Sequence, residues 1–214
     1  MSKRSEQKRK ELLKRHRKRE KKRAEQSSLP AGLPQFGGEL VQQLMDPTKL
    51  TTPDGIDENV KAFCRSINDT HDAVPLSCEP EKWSRLGCCN LNVNEYRKIN
   101  GGKMVSGYQI WYNSPIYIEG ERHAVWSDDD GSLRNVSFCP DGEATILFVP
   151  DKDSQTPFIG PPKKLRDILA PELQSFLPML EIADQMHTAL PDEDAWAQME
   201  TYEQFLARTN GSGA

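Results

Sequence analysis

Between residues 103 and 150 five short segments rich in strand formers follow one another with almost nothing between them. They are "MVSGYQIWY", "PIYIEG", "RHAVWS", "LRNVSF" and "ATILFVP". Connections this short cannot carry a crossover helix, so the segments are restricted to antiparallel neighbours. "SDDDG" and "CPDGE" supply the turns. This block fixes the fold class as α+β: a small antiparallel sheet over about residues 103–150, flanked by N- and C-terminal helices.

The flanks follow from apolar spacing. Phe36, Leu40 and Leu44 recur every four residues, and Val60, Phe63, Cys64 and Ile67 share one face of a helix predicted over Ile56 to Ile67. "NDTHDAVPLSCEPEKWSRLG" reads as loop. "NVNE", Asn92 to Glu95, reads as a capping box with Asn92 as cap, opening a helix through Ile99 that "NGG" stops. Beyond the linker "DSQTPFIGPPKK", Leu165, Ile168, Leu169, Leu173, Phe176, Leu180 and Ala183 trace a helical face, with Pro171 starting and Pro178 dividing it; a last helix carries Trp196, Met199 and Phe205. The expected domains are a basic arm, 1–27, a core with a helical lead-in, 28–152, and a C-terminal helical segment, 153–214.

The charge is divided unevenly. Residues 1–26 hold 13 Lys/Arg against four Glu, a net +9, while the remaining chain holds 15 basic and 28 acidic residues, a net −13. With Met1, Leu12, Leu13 and Ala24 as its only apolar residues, the arm buries no face. It is expected to contact nucleic acid or the ribosome through phosphates, without sequence preference because no aromatic residue is interleaved. No run of apolar residues is long enough for a membrane span and no apolar leader is present, so five cysteines predict reduced thiols in a cytoplasm. No CxxC or HxxxH pair occurs, and no metal or cofactor is expected.

The hairpin from Ile116 to Phe138 carries the chemistry. A three-residue Asp129–Gly131 loop sets Ser127 opposite Leu133 and Val125 opposite Asn135. Ala124, Trp126, Val136 and Phe138 then form one apolar face. His123 and Asn135 lie on the other as diagonal neighbours, roughly 7–8 Å apart at Cα. A histidine oriented by an amide oxygen serves as base for a thiol in Cys-His-Asn sites. Cys89, just before the expected helix start, is the candidate nucleophile, with a helix N-terminus expected to favour its thiolate. The catalytic set is therefore Cys89, His123 and Asn135, acting on an amide or thioester.

The run "CNLNVNEYRKINGG … GYQIWY … HAVWSDDDGSLRNVSF … ILFVPD" resembles an uncharacterised family of bacterial proteins over about residues 87–151. That family's pattern is a Cys followed by Asn-Val, Gly-Gly, a Gly-aromatic-x-Ile-Trp-Glu strand, a His-Ala-Val-Trp strand and a Gly-x-Leu-x-Asp strand end. The resemblance points to Cys89, Asn92, Val93, Gly101, Gly102, Trp111, His123 and Trp126, and implies a transglutaminase/papain-like core. Two positions depart from it: Tyr112 replaces an acid after Ile-Trp, and Asn135 replaces an Asp. A non-catalytic module tethered by its arm is the alternative the composition leaves open.

Overall fold

A computed structural model of the chain describes residues 38–154, 164–186 and 190–211. The arm, Phe36 and most of the second linker lie outside the described residues. The chain divides into two units, 1–39 and 40–214, and the architecture below is that of the second.

Helices and one antiparallel sheet make an α+β fold. The strands are β1 (Val74–Ser77), β2 (Lys103–Asn113), β3 (Tyr117–Ser127), β4 (Leu133–Arg134), β5 (Thr145–Pro150) and β6 (Lys164–Ile168). The helices are α1 (Glu39–Met45), α2 (Glu58–Ile67), α3 (Cys89–Asn100), α4 (Leu177–Gln185), α5 (Asp192–Gln198) and α6 (Tyr202–Gly211). The strand order is β1-β5-β2-β3-β4, with β6 also on β3. β2 and β3 pair along eleven positions, Lys103↔Ser127 through Asn113↔Tyr117. The sheet then curls until its two ends meet: Cys78, just past β1, and Asn135, just past β4, form a parallel bridge, and Glu79 N–H donates to Asn135 O at 2.8 Å.

Alternation along the strands sorts side chains to two faces. One face, enclosed by the curl, holds Val105, Trp111, Val125, Cys139, Ile146 and Phe148. The other is covered at one end by α2 and at the other by α3. Asp57 caps α2 by accepting Val60 N–H at 2.8 Å, and Val60, Phe63, Cys64 and Ile67 pack on Tyr108, Ile110, Ile118 and Leu147. Burying each such side chain contributes about 1.5–3 kcal/mol. Val93 and Tyr96 of α3 pack on Met104, Ala124 and Val136. The expected apolar face of the hairpin is present, and the register holds over the two positions where β3 and β4 pair, Trp126↔Arg134 and Ser127↔Leu133; the strand expected over "LRNVSF" stops there, and Asn135 bridges to Cys78 rather than pairing with Val125. Phe138, its last member, packs on Tyr202 and Phe205.

Three readings are corrected. The segment read as loop contains β1, whose alternation of half-buried and exposed residues spans only four positions. "PIYIEG" and "RHAVWS" are one unbroken strand rather than two, β3. Leu165 and Ile168 belong to β6, which pairs with β3 from Tyr117↔Ile168 to Glu121↔Lys164, so the segment after residue 153 is not purely helical. Pro171 does open a 3-10 turn and Pro178 the start of α4, while the last expected helix is divided into α5 and α6.

The β3–β6 contact is polar. Arg166, with a side chain 7 % exposed, donates to Glu119 at 3.1 Å and to the Tyr117 hydroxyl at 2.7 Å, and pairs with Asp184 of α4. Lys164 reaches the other Glu119 oxygen at 2.6 Å. A carboxylate this buried is tolerable because two cations and a hydroxyl meet it.

Candidate functional site

Each residue of the site is placed by a different element. α3 begins at Cys89, with Cys88 at the N-cap making no side-chain cap bond. Asn92 is therefore not the cap but the fourth residue of the helix, and the capping-box reading is corrected. Its fully buried amide is used elsewhere: Oδ1 accepts Arg85 N–H at 2.7 Å, and Nδ2 donates to Arg85 O at 2.9 Å and Ser137 Oγ at 3.1 Å. These bonds staple the first turn of α3 to Arg85 in the stretch before it and to Ser137 in the stretch that follows β4. Gly101 and Gly102, both at φ +71°, end the helix.

Cys89 is half-buried at this helix start. Its Sγ donates to Asn90 Oδ1 at 3.9 Å, near the backbone N–H groups of Ala124 and Asn90, and its side chain packs with Ala124 and Val93. Ala124 is the residue after His123, so the thiol sits at the backbone of the strand that carries the histidine. The sequence reading expected a thiolate favoured by the helix end. Burial instead pushes the Cys89 thiol up to about 11, outweighing those backbone donors.

His123 projects from the face of β3 opposite Ala124, directly across from Gly107 of β2. The Phe148 ring meets the imidazole edge-on, with centroids 6.4 Å apart. His123 Nε2 lies 3.1 Å from Asn135 Oδ1. The same Oδ1 accepts Ser137 N–H at 3.1 Å, and Nδ2 donates to Cys78 Sγ at 3.4 Å. The backbone donor fixes which amide atom is oxygen. The imidazole bonded to it therefore carries its proton on Nε2 and a lone pair on Nδ1. Burial holds His123 down to about 4, with the Asn135 bond opposing that shift, so the ring is neutral around pH 7.

The structure thus joins His123 to Asn135, whereas Cys89 packs with Ala124, on the face of β3 opposite the His123 side chain, and no Cys89–His123 hydrogen bond occurs among the described residues. Trp83 and Trp126 pack against the α3 cluster, and Trp111 lies in the enclosed face with its indole N–H on Glu121 at 3.2 Å. Among the described residues no three His, Cys, Asp or Glu side chains converge as a metal site, and no helix is long and apolar enough to cross a membrane. Sequence reasoning missed Ser137, Cys78, Gln109 and Cys139. The apolar alternation Val74, Leu76, Cys78 was the available signal for the second of these, since it extends β1 by one inward position.

No family model, no curated protein and no solved structure matches this chain.

Proposed function

We propose that this chain is a cysteine-dependent hydrolase or acyltransferase of transglutaminase/papain-like type, acting on an amide or thioester. The observation that carries the reading is the buried His123–Asn135 bond, whose polarity leaves Nδ1 as a free base. Cys89 is the nucleophile, His123 the base and then acid, and Asn135 the residue that orients the ring. The reaction needs Cys89 to turn from Ala124 toward the His123 side of β3 as substrate binds; Nδ1 then takes the Sγ proton as sulfur attacks the substrate carbonyl carbon. The proton then passes to the leaving amine or thiol, giving an acyl-thioester on Cys89. Water, deprotonated by Nδ1, releases the acid; an amine acceptor gives transfer instead. Since the thiol is protonated at rest, the base acts during attack rather than by holding a thiolate beforehand.

The test is incubation of the full chain with a small acyl thioester at pH 8, read by intact mass and peptide mapping. An acyl adduct on Cys89, abolished in Cys89→Ala and in His123→Ala, is expected. Turnover that persists in Cys89→Ala would sink the assignment.

The partner reading concerns residues 1–26, with a cytoplasmic setting. Their net +9 supports sequence-independent contact with RNA or DNA. Binding of mixed-sequence RNA should fall steeply from about 50 to 200 mM salt and vanish on deletion of the arm. A gel shift that survives the deletion rejects the arm as tether.

A further inference from the structure

Two thiols that the proposed reaction leaves unused meet at the seam of the sheet. Cys78 follows β1 directly, and its N–H donates to Ala144 O at 2.8 Å. Cys139 follows Phe138 and opens the turn that Gly142 closes, Gly142 N–H to Cys139 O at 3.1 Å. Both backbones are therefore pinned, and both side chains lie in the cluster enclosed by the curled sheet. There the two thiols contact each other. Two amides complete the arrangement: Asn135 Nδ2 donates to Cys78 Sγ at 3.4 Å and Gln109 Nε2 to Cys139 Sγ at 3.5 Å. Cys78 is half-buried, whereas Cys139 and Gln109 are buried.

We propose that Cys78 and Cys139 are a reversible dithiol–disulfide pair, oxidised by hydroperoxides, with Cys78 as the attacking sulfur and Cys139 as the resolving one. The Asn135 amide N–H on the Cys78 sulfur favours a thiolate there. Contact with Cys139, with help from Asn135 and against burial, holds Cys78 below the ordinary thiol range, and contact with Cys78 pushes Cys139 up. Cys78 is also the more exposed of the two, so a peroxide reaches it first.

The chemistry balances. The Cys78 thiolate attacks one peroxide oxygen, the O–O bond breaks, and a sulfenic acid forms with release of hydroxide or alkoxide. The Cys139 thiol then displaces the hydroxyl of the sulfenic acid, forming the S–S bond and water. Two thiols lose two electrons to one peroxide, and a dithiol reductant restores them. None of these steps uses Cys89 or the His123 lone pair, so the inference stands apart from the acyl-transfer reading.

The full chain treated with hydrogen peroxide near pH 7, alkylated and mapped, should lose two thiols together as a Cys78–Cys139 cross-linked peptide. Cys78 should react about tenfold or more faster than Cys64, which lies on the buried face of α2 with its thiol pushed up by that burial to about 11. In Cys139→Ser, dimedone should trap a sulfenic acid on Cys78. In Cys78→Ser, Cys139 should stay reduced. Oxidation of Cys78 no faster than Cys64, a cross-link between any other pair, or a dimedone adduct on Cys139 in Cys78→Ser would each overturn the proposal. The wild-type mapping needs no variant, so a substitution that failed to fold would leave a decisive readout.

Discussion

Gly107→Ala is expected to cost about 3 kcal/mol of folding stability, at the upper end for overpacking a filled interior. A Cβ built at Gly107 would stand 2.2 Å from the Val149 carbonyl oxygen and 2.6 Å from the Phe148 ring. The first is backbone of a paired strand and cannot move aside without opening the β2–β5 ladder. The second is a fully buried ring that meets His123 edge-on. Glycine is used here for close approach, since its φ is not in the left-handed region. Gly120→Ala is the comparison: its Cβ would meet the Phe63 ring at 3.3 Å, which a small tilt of that side chain relieves. Urea unfolding of both variants checks the contrast. A Gly107→Ala midpoint equal to wild type would mean that the two strands are not packed as described.

The second large effect is set by pH. The unfolded His123 imidazole binds its proton near pH 6.5, the folded one only near 4 because burial penalises the cation. Between those values the unfolded chain holds more protons than the folded one. Stability is therefore complete above about pH 6.5, falls as pH falls through the window, and levels out below about 4. From pH 7 to 4.5 the histidine should account for about 2–3 kcal/mol of lost stability. His123→Gln removes the titration, so the difference in unfolding free energy between the two proteins should shrink by that amount over the same interval. A difference that stays constant with pH would show that the folded imidazole titrates normally.

The hairpin was legible in the sequence because its two faces differ so strongly. Ala124, Trp126, Val136 and Phe138 can be buried together in only one register, and a slip of one residue would turn all four to the wrong side. That register also placed His123 beside Asn135, and they are bonded. The sheet's outer members were hidden for two reasons. β1 is four residues with Pro75 inside it, too short to establish a period. β6 and the residue after it carry Leu165, Ile168 and Leu169 at spacings of three and one, which copy a helical face; pairing with β3 overrides that local pattern. Asn92 shows a third kind of error. Its type and its distance from Glu95 fit a cap, but three tertiary hydrogen bonds claim the side chain, and no local rule reveals them. The thiol of Cys89 was misjudged because the helix-end effect is visible in sequence and the depth of burial is not.

The seam where the sheet closes has a thermodynamic consequence. β2 and β3 are zipped over eleven positions, but among the described residues the two ends of the sheet meet in one backbone bridge, at Cys78 and Asn135, beside the Arg134 pairs with Glu79 and Glu81. The side chain of that same Asn135 accepts a hydrogen bond from His123 Nε2–H and donates one to the Cys78 sulfur. Opening the seam therefore removes the orienting partner of the imidazole and an amide donor of the thiol in one event. Closure of the sheet and assembly of the histidine–amide pair are therefore coupled, and whatever favours one state of the seam shifts the population in which His123 and Asn135 are bonded.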